Sequence, residues 1–268
     1  MISSEQQAAL RAQFNPDGSA LRRRQLRMLE ILKFVDRVCV ENDIPYWLSS
    51  GTCLGAVRHG GFIPWDDDVD IELLEHDYRR LRRAWLALPN PPFAWQDSAT
   101  DPAYVNPYAK IRDLRSLIIE PDPRGWNYRY RGLFIDVFHI RPSSSVWLDK
   151  AVNLYQKHII WPLAAIQSRS VQRLAMRPAL WLFQRGITPI ANAFARIGAR
   201  DRLRHAPGSL FTRPRRLPDV ASTVRVPFED AMLPIPAGYD SYLRTIYGDY
   251  NSLPTNFHTH SLRVDFLD

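Results

Sequence analysis

Residues 51–74 read GTCLGAVRHGGFIPWDDDVDIELL. From Asp68 onward the run alternates acidic and apolar residues, which is a strand pattern. Before it come a tight turn, Ser49-Ser50-Gly51-Thr52, a short helix from Cys53 to His59 and a Gly60-Gly61 break. Four acids in five residues, Asp66, Asp67, Asp68 and Asp70, repel one another, and a shared cation explains that cost. On a strand, Asp68 and Asp70 point to one face with Cα atoms roughly 6–7 Å apart. Hard oxygen ligands so placed suit Mg²⁺ or Mn²⁺. Glycine at 51 lets backbone amides approach a phosphate, and the Thr52 hydroxyl can donate to one.

The elements around this run suggest a mixed architecture. Leu26, Leu29, Leu32, Val35, Val38 and Cys39 recur at helical spacing, predicting an amphipathic helix over 19–41. Ile44-Pro45 then starts an extended stretch through Leu48. A second helix covers 75–88, followed by strands at 93–96, 108–113, 117–119 and 133–140. The last of these contains Asp136 within LFIDVFHI, an acid flanked by apolar residues that needs a partner. Residues 145–205 read as two or three helices broken near Pro162, Pro178 and Pro189. The fold class is α+β: a mixed sheet core over 1–140, a basic helical segment over 141–224, and a C-terminal segment over 225–268 packing back on the core.

Length and composition fit this picture. A chain of 268 residues, 46% hydrophobic and 24% charged, can bury a core and is neither disordered nor fibrous. Cys39 and Cys53 make no disulfide framework, so a reducing, cytoplasmic setting is expected. The opening MISSEQQAALRAQF lacks a secretory pattern, and the apolar stretch 158–168 is far short of the ~20 residues of a spanning helix. The net charge of +7 is unevenly spread. Residues 157–216 hold twelve Lys and Arg against Asp201 alone, +11, leaving −4 for the rest of the chain. Interleaved with Trp161, Trp181, Phe183 and Phe194, that stripe suits an anionic surface: a lipid bilayer such as the inner face of a membrane, a nucleic acid or an anionic glycan carrier. A solvated pair of arginine-rich helices would carry the same charges.

Motif spacing narrows the chemistry. An EF-hand counted from Asp66 would need Gly where Ile71 stands, and P-loop, GxGxxG and GxSxG patterns are absent. Metal-dependent phosphoryl or glycosyl transfer survives. Lys110 and Arg112 alternate along one strand face and could clamp donor phosphates; Arg58 and His59 either reach a phosphate or cap a helix. His258 and His260 lack the Cys/His set of a zinc site, Asp249 is assigned to fixing the C-terminal segment, and Cys53 reads as a small core residue. Trp65 and Pro64 are expected to floor the pocket.

The same residues resemble a known family. The run at 51–74 is similar to the signature of LicD-type proteins, approximately GTLLGAxRHxGFIPWDDDIDI, and the likeness continues in YAKIRD at 108–113, FIDVF at 134–138 and YLRTIYGDY at 242–250. It covers roughly 25–140 and 225–260. The resemblance implies a nucleotidyltransferase-like sheet, with Gly51 and Thr52 in a phosphate-binding turn and Asp68, Asp70 and Asp136 as the metal-binding acids. It further implies transfer of a phospho-alcohol such as phosphocholine from a CDP-activated donor to a glycan hydroxyl, the glycan being cell-surface or lipid-linked. Arg115-Ser116-Leu117 stand where family members often carry threonine, a departure that bears on the donor's identity. A glycosyltransferase or nucleotidyltransferase using the same acid pair is the alternative; a basic nucleic-acid or membrane binder leaves the acids unexplained, and no nucleic-acid partner is expected.

Overall fold

The computed structural model describes residues 2–119, 123–211, 213–254, 257 and 263–267. Its centre is a mixed sheet ordered β1 (Trp47–Leu48), β2 (Asp70–Leu74), β6 (Phe134–Pro142), β4 (Ala109–Asp113), β3 (Phe93–Gln96). Among the described strands only the β2–β6 pair runs parallel, with Asp70 opposite Asp136. β4 runs antiparallel to β6 and sets Lys110 opposite Asp136. Where β4 stops, β7 (Arg202–His205) takes over as the partner of β6, and β8 (Arg215–Arg216) pairs with β7. β5 (Ser116–Ile119) forms a small antiparallel sheet with β11 (Arg263–Phe266).

The long helix is α2 (Ala20–Glu41), as its periodicity predicts, capped by Ser19, whose hydroxyl accepts from the Arg22 N–H at 3.2 Å. It buries Met28, Ile31, Leu32, Val35 and Val38, each contributing about 1.5–3 kcal/mol by removal from water. α4 (Glu75–Ala87) packs beside it, with Trp85 and Leu81 inward. Tyr78 of α4 meets His139 of β6 at 4.6 Å between ring centroids. By strand alternation His139 and Val137 therefore face α4, and Asp136 faces the opposite side. On that side lie α3 (Ser50–His59) and α10 (Tyr239–Tyr247), with the hairpin β9 (Thr223–Phe228) and β10 (Ala231–Pro236) close by. α1 (Ser4–Phe14) opens with a capping box between Ser3 and Gln6.

Residues 146–196 form a helical lobe: α5 (Val146–Tyr155), α6 (Trp161–Ala164), α7 (Arg169–Trp181) and α8 (Thr188–Arg196), around a separate small core that includes Val152, Ile160, Met176, Phe183 and Ala191. The prolines do not all break it as expected. Pro178 lies inside α7, and Pro162 and Pro189 each follow a π-helical turn, Gln156–Ile160 and Leu182–Ile187. The wider turn absorbs the missing N–H and the ring's clash with the carbonyl four residues back. The lobe is shorter than the basic segment read from sequence, because 202–205 and 215–216 return to the sheet as strands. α9 (Leu217–Val220) follows, and the C-terminal elements pack on the main core through Phe228, Leu233, Ile235, Tyr242 and Leu243.

Candidate active site

The start of α3 is where the chain departs most from its local reading. Ser49–Thr52 is not a free turn: Ser49 is the helix N-cap and α3 begins at Ser50, whose φ of +45° is left-handed. Distant groups hold that strained start. The Ser50 N–H donates to the Tyr242 hydroxyl at 3.1 Å, and Ser49 Oγ lies 3.1 Å from the same oxygen. Two bonds then clamp α3 to the acid strand, Ser49 N–H to the Asp70 carbonyl (2.9 Å) and Asp70 N–H to Thr52 Oγ1 (2.9 Å). Thr52 thus fixes the backbone of Asp70. At Gly51 a Cβ would sit 3.1 Å from Asp66 Oδ2, so the missing side chain admits the carboxylate to the helix start.

Asp66, Asp68 and Asp70 line one cleft of about 560 Å³ with Ser50, Gly51 and Tyr247. Burial raises the Asp66 carboxyl well above its ordinary range, with further push from Asp68. Burial and Asp136 raise Asp68; burial, Asp68 and Asp136 raise Asp70 well above the usual value. Asp136 sits next to Asp70 in the parallel register, with its Oδ1 2.8 Å from Lys110 Nζ. Lys110 Nζ also stands 3.2 Å from the centroid of the Phe134 ring. Asp70, Asp136 and Lys110 are therefore one row across three strands.

The other expected site residues have different partners. Arg112 is fully buried and donates to Gln96 Oε1 (2.7 Å) and the Gly132 carbonyl (2.8 Å), bracing β3 and the loop before β6. Arg58 donates to the carbonyls of Tyr250 (3.0 Å) and Ser252 (3.1 Å), holding the C-terminal segment. Its Nε donates to His59 Nε2, and burial and the Arg58 charge lower His59 to about 3. Arg58, Gly51, Trp65, Asp66 and Tyr247 share a neighbouring cavity of about 520 Å³. Asp249 accepts from Ser252 Oγ at 2.6 Å, and Cys53 is a buried free thiol that burial raises, as a core residue should be. His258 and His260 lie outside the described residues.

The acid cluster divides, and one participant beneath it escaped the sequence reading. Asp67 turns away to Arg24 Nη1 (3.4 Å), whereas Asp66 joins Asp68 and Asp70 in the cleft. Beneath the cleft Glu72, with none of its surface exposed, accepts from Arg215 Nη2 (2.8 Å), Trp47 Nε1 (3.1 Å), Tyr242 OH (3.0 Å) and His205 Nε2 (2.8 Å). Burial alone would raise this carboxyl, but Arg215 and His205 more than offset it and hold it below the carboxylate range. Of the twelve cations in 157–216, Arg204 and Arg215 are buried and so belong to the interior, not to an anionic surface.

Among the described residues no group of three or more His, Cys, Asp or Glu side chains is set to enclose a metal ion. The three acids expected to share a metal do not form a closed cage, and Asp136 faces Lys110 instead. The donor chemistry still suits a hard divalent cation, because Mg²⁺ commonly takes one or two carboxylates and completes its shell with water and phosphate oxygens.

The raised carboxyls carry a pH signature. A folded pKa above the unfolded ~3.9 stabilises the protein below that pH, and the stabilisation is lost as pH rises through the folded values. D70N should therefore melt higher than the parent at pH 7.5 in the absence of divalent cations, with the gap closing near pH 4. Thermal melts across that range check it; a lower melting point for D70N at pH 7.5 would mean the carboxylate is favourably partnered.

Comparison with known proteins identifies a matching family. Residues 43–175 match the family model described as LicD/FKTN/FKRP, nucleotidyltransferase domain. The lipopolysaccharide cholinephosphotransferase LicD of Haemophilus influenzae is 36% identical over 119 residues, 44% of this chain and 43% of that protein. The human ribitol 5-phosphate transferase FKRP is 44% identical over 148 residues, 51% of this chain and 26% of that protein. The mouse ribitol-5-phosphate transferase FKTN is 42% identical over 53 residues, 20% of this chain and 12% of that protein. The chain thus spans less than half the length of these curated relatives. With the signature lying in the cleft, the chain belongs to the LicD/FKTN/FKRP family through its nucleotidyltransferase domain.

Proposed function

We propose that the protein is a divalent-cation-dependent transferase that moves a phosphorylated small alcohol from a CDP-activated donor to a sugar hydroxyl of a glycan. The observation that carries this reading is the row Asp70–Asp136–Lys110 beside Asp68 and the start of α3. Relatives named as cholinephosphotransferase and ribitol-phosphate transferase support the reaction class. Asp68 and Asp70 would hold Mg²⁺ or Mn²⁺, which when bound neutralises the donor diphosphate. Their raised protonation favours this, since a cation relieves the repulsion that burial imposes.

The cavity of Gly51, Trp65 and Tyr247 offers an aromatic floor for the donor's nucleoside. On the far side of the acid cleft, and sharing Leu210 and Phe211 with it, a cavity of about 600 Å³ lined by Lys110, Tyr108, Arg124 and Trp161 offers room for the acceptor. An entering phosphate competes with Asp136 for Lys110. Asp136, so released, takes the acceptor hydroxyl's proton as that oxygen attacks the phosphorus bearing the alcohol; the bond from that phosphorus to CMP breaks and CMP leaves. Incubation with Mg²⁺, CDP-alcohols, nucleoside triphosphates, sugar nucleotides and crude glycan should give acceptor-dependent CMP. Pyrophosphate would mean nucleotidyl transfer, and UDP or GDP from sugar nucleotides would mean glycosyl transfer.

The helical lobe supports a place against an anionic lipid surface. Between 145 and 200 the one acid is Asp149, buried against Arg141 at 3.1 Å, while Lys150, Lys157, Arg173, Arg177 and Arg185 are exposed. Away from the lobe's small core stand Trp147 (79% exposed), Leu174 (78%), Trp181 (66%) and Phe194 (61%). Apolar anchors among cations are the pattern of interfacial helices, and no helix among the described residues is long and apolar enough to cross a membrane. The protein should sediment with vesicles of mixed phosphatidylglycerol and phosphatidylcholine. Substituting Leu174 and Trp181 by Ser should weaken partition at least about tenfold; unchanged sedimentation would remove the lobe from the interface.

A further inference from the structure

A second polar crevice lies where the lobe meets the core, on the α4 side of the sheet. It encloses about 350 Å³ between Tyr78 of α4, His139 and Arg141 of β6, and Thr188 and Asn192 of α8. Four polar atoms on its lining residues are buried without a hydrogen-bond partner: His139 Nδ1, Arg141 Nε, Thr188 Oγ1 and Asn192 Oδ1. Buried polar atoms are ordinarily satisfied, so four on one crevice point to something that fills it. The lobe wall here includes Phe183 and Gln184 of the π-helical turn Leu182–Ile187.

The orphaned atoms define the ligand's chemistry. Arg141 Nε only donates, Asn192 Oδ1 only accepts, and the Thr188 hydroxyl and a neutral imidazole can each do either. Burial lowers His139 to about 4, so it is neutral near pH 7. The two guanidiniums on its lining already have carboxylate partners, Arg82 on Asp97 at 2.5 Å and Arg141 on Asp149 at 3.1 Å, the latter carboxylate also facing Arg204 at 3.8 Å. What remains wants hydroxyl groups, which both donate and accept, and Tyr78, Tyr108 and Phe183 offer ring faces to the C–H groups between them.

We propose that this crevice binds a neutral, polyhydroxylated ligand, a sugar ring or an alditol, at a site separate from the acid cleft. Its floor shares segments with the acceptor-side cavity: Asn106 and Tyr108 line both, and 206–207 on one side continue into 208–209 on the other. A glycan unit held here would keep a polymeric acceptor near the cleft; that consequence rests on the transferase reading, whereas binding itself does not.

The test is saturation-transfer NMR on the whole chain without donor, using galactose, N-acetylglucosamine and ribitol as probes. Binding of at least one probe is expected. A Thr188→Val, Asn192→Leu double variant replaces two orphaned atoms by apolar groups, so it should fold with an equal or higher melting point and weaken that probe at least tenfold. Ala99→Trp, at the exposed rim, should block entry without touching the core. Asp68→Asn should leave sugar binding unchanged, even if no CMP is ever released. The proposal is overturned if no probe binds, leaving water as the occupant, if binding survives both crevice variants, or if Asp68→Asn abolishes it.

Discussion

Replacing both Asp68 and Asp70 by Asn should lower acceptor-dependent turnover on the order of 10³-fold or more, the scale on which one or two charge-stabilising groups act at a phosphoryl-transfer site. The fold should be untouched. Neither side chain carries an ion pair among the described residues, and the backbone bonds that hold Asp70 run to Ser49 and Thr52. Because burial and mutual repulsion raise both carboxyls, the double variant should also melt no lower than the parent at neutral pH without divalent cations. Turnover and circular dichroism measured together decide the matter. Full activity in the variant would remove the acids from the chemistry, and loss of activity with loss of structure would make them structural.

The second large effect is on stability. Glu72→Ala strips the counter-charge from Arg215, itself only 4% exposed, and leaves Trp47 Nε1 and Tyr242 OH without the acceptor they share. Removing one partner of a buried, hydrogen-bonded pair costs about 3–5 kcal/mol, because the remaining charge stays buried and uncompensated. The loss should reach the site as well. Tyr242 also accepts the Ser50 N–H, and Arg215 Nη2 lies 3.3 Å from Ser50 Oγ, so the strained start of α3 loosens with it. An unfolding free energy from urea titration within about 1 kcal/mol of the parent's would show that the core tolerates Glu72's absence.

The parts of this arrangement carried by short-range pattern were legible in the sequence. Helical spacing marked α2, alternation marked β2, and an acid between apolar neighbours marked Asp136. The parts that depend on contacts far along the chain were not. Ser49–Thr52 reads locally as a turn and becomes a helix start only because Tyr242, some 190 residues later, meets Ser49 and the Ser50 N–H. Arg215 and His205 sit in a run that reads as solvated charge, and their burial follows from Glu72 on β2. Glu72 did carry a signal, the same acid-between-apolar context as Asp136, masked by the more crowded acids before it. The β9–β10 hairpin was hidden by Pro227, Pro234 and Pro236, which a two-stranded ribbon accommodates because both its strands are edges.

In the proposed reaction the phosphorus carrying the alcohol, rather than the nucleotide, moves to the glycan. The most direct measurement uses a CDP-alcohol labelled with ³²P at the phosphate next to the alcohol, incubated with Mg²⁺, acceptor glycan and either the parent or the Asp68→Asn, Asp70→Asn protein. The label should pass into the glycan with the parent only, with unlabelled CMP released in equal amount. Label left on free nucleotide or on the free phospho-alcohol while the glycan stays cold, or a glycan labelled equally by the variant, would rule out phospho-alcohol transfer at these acids.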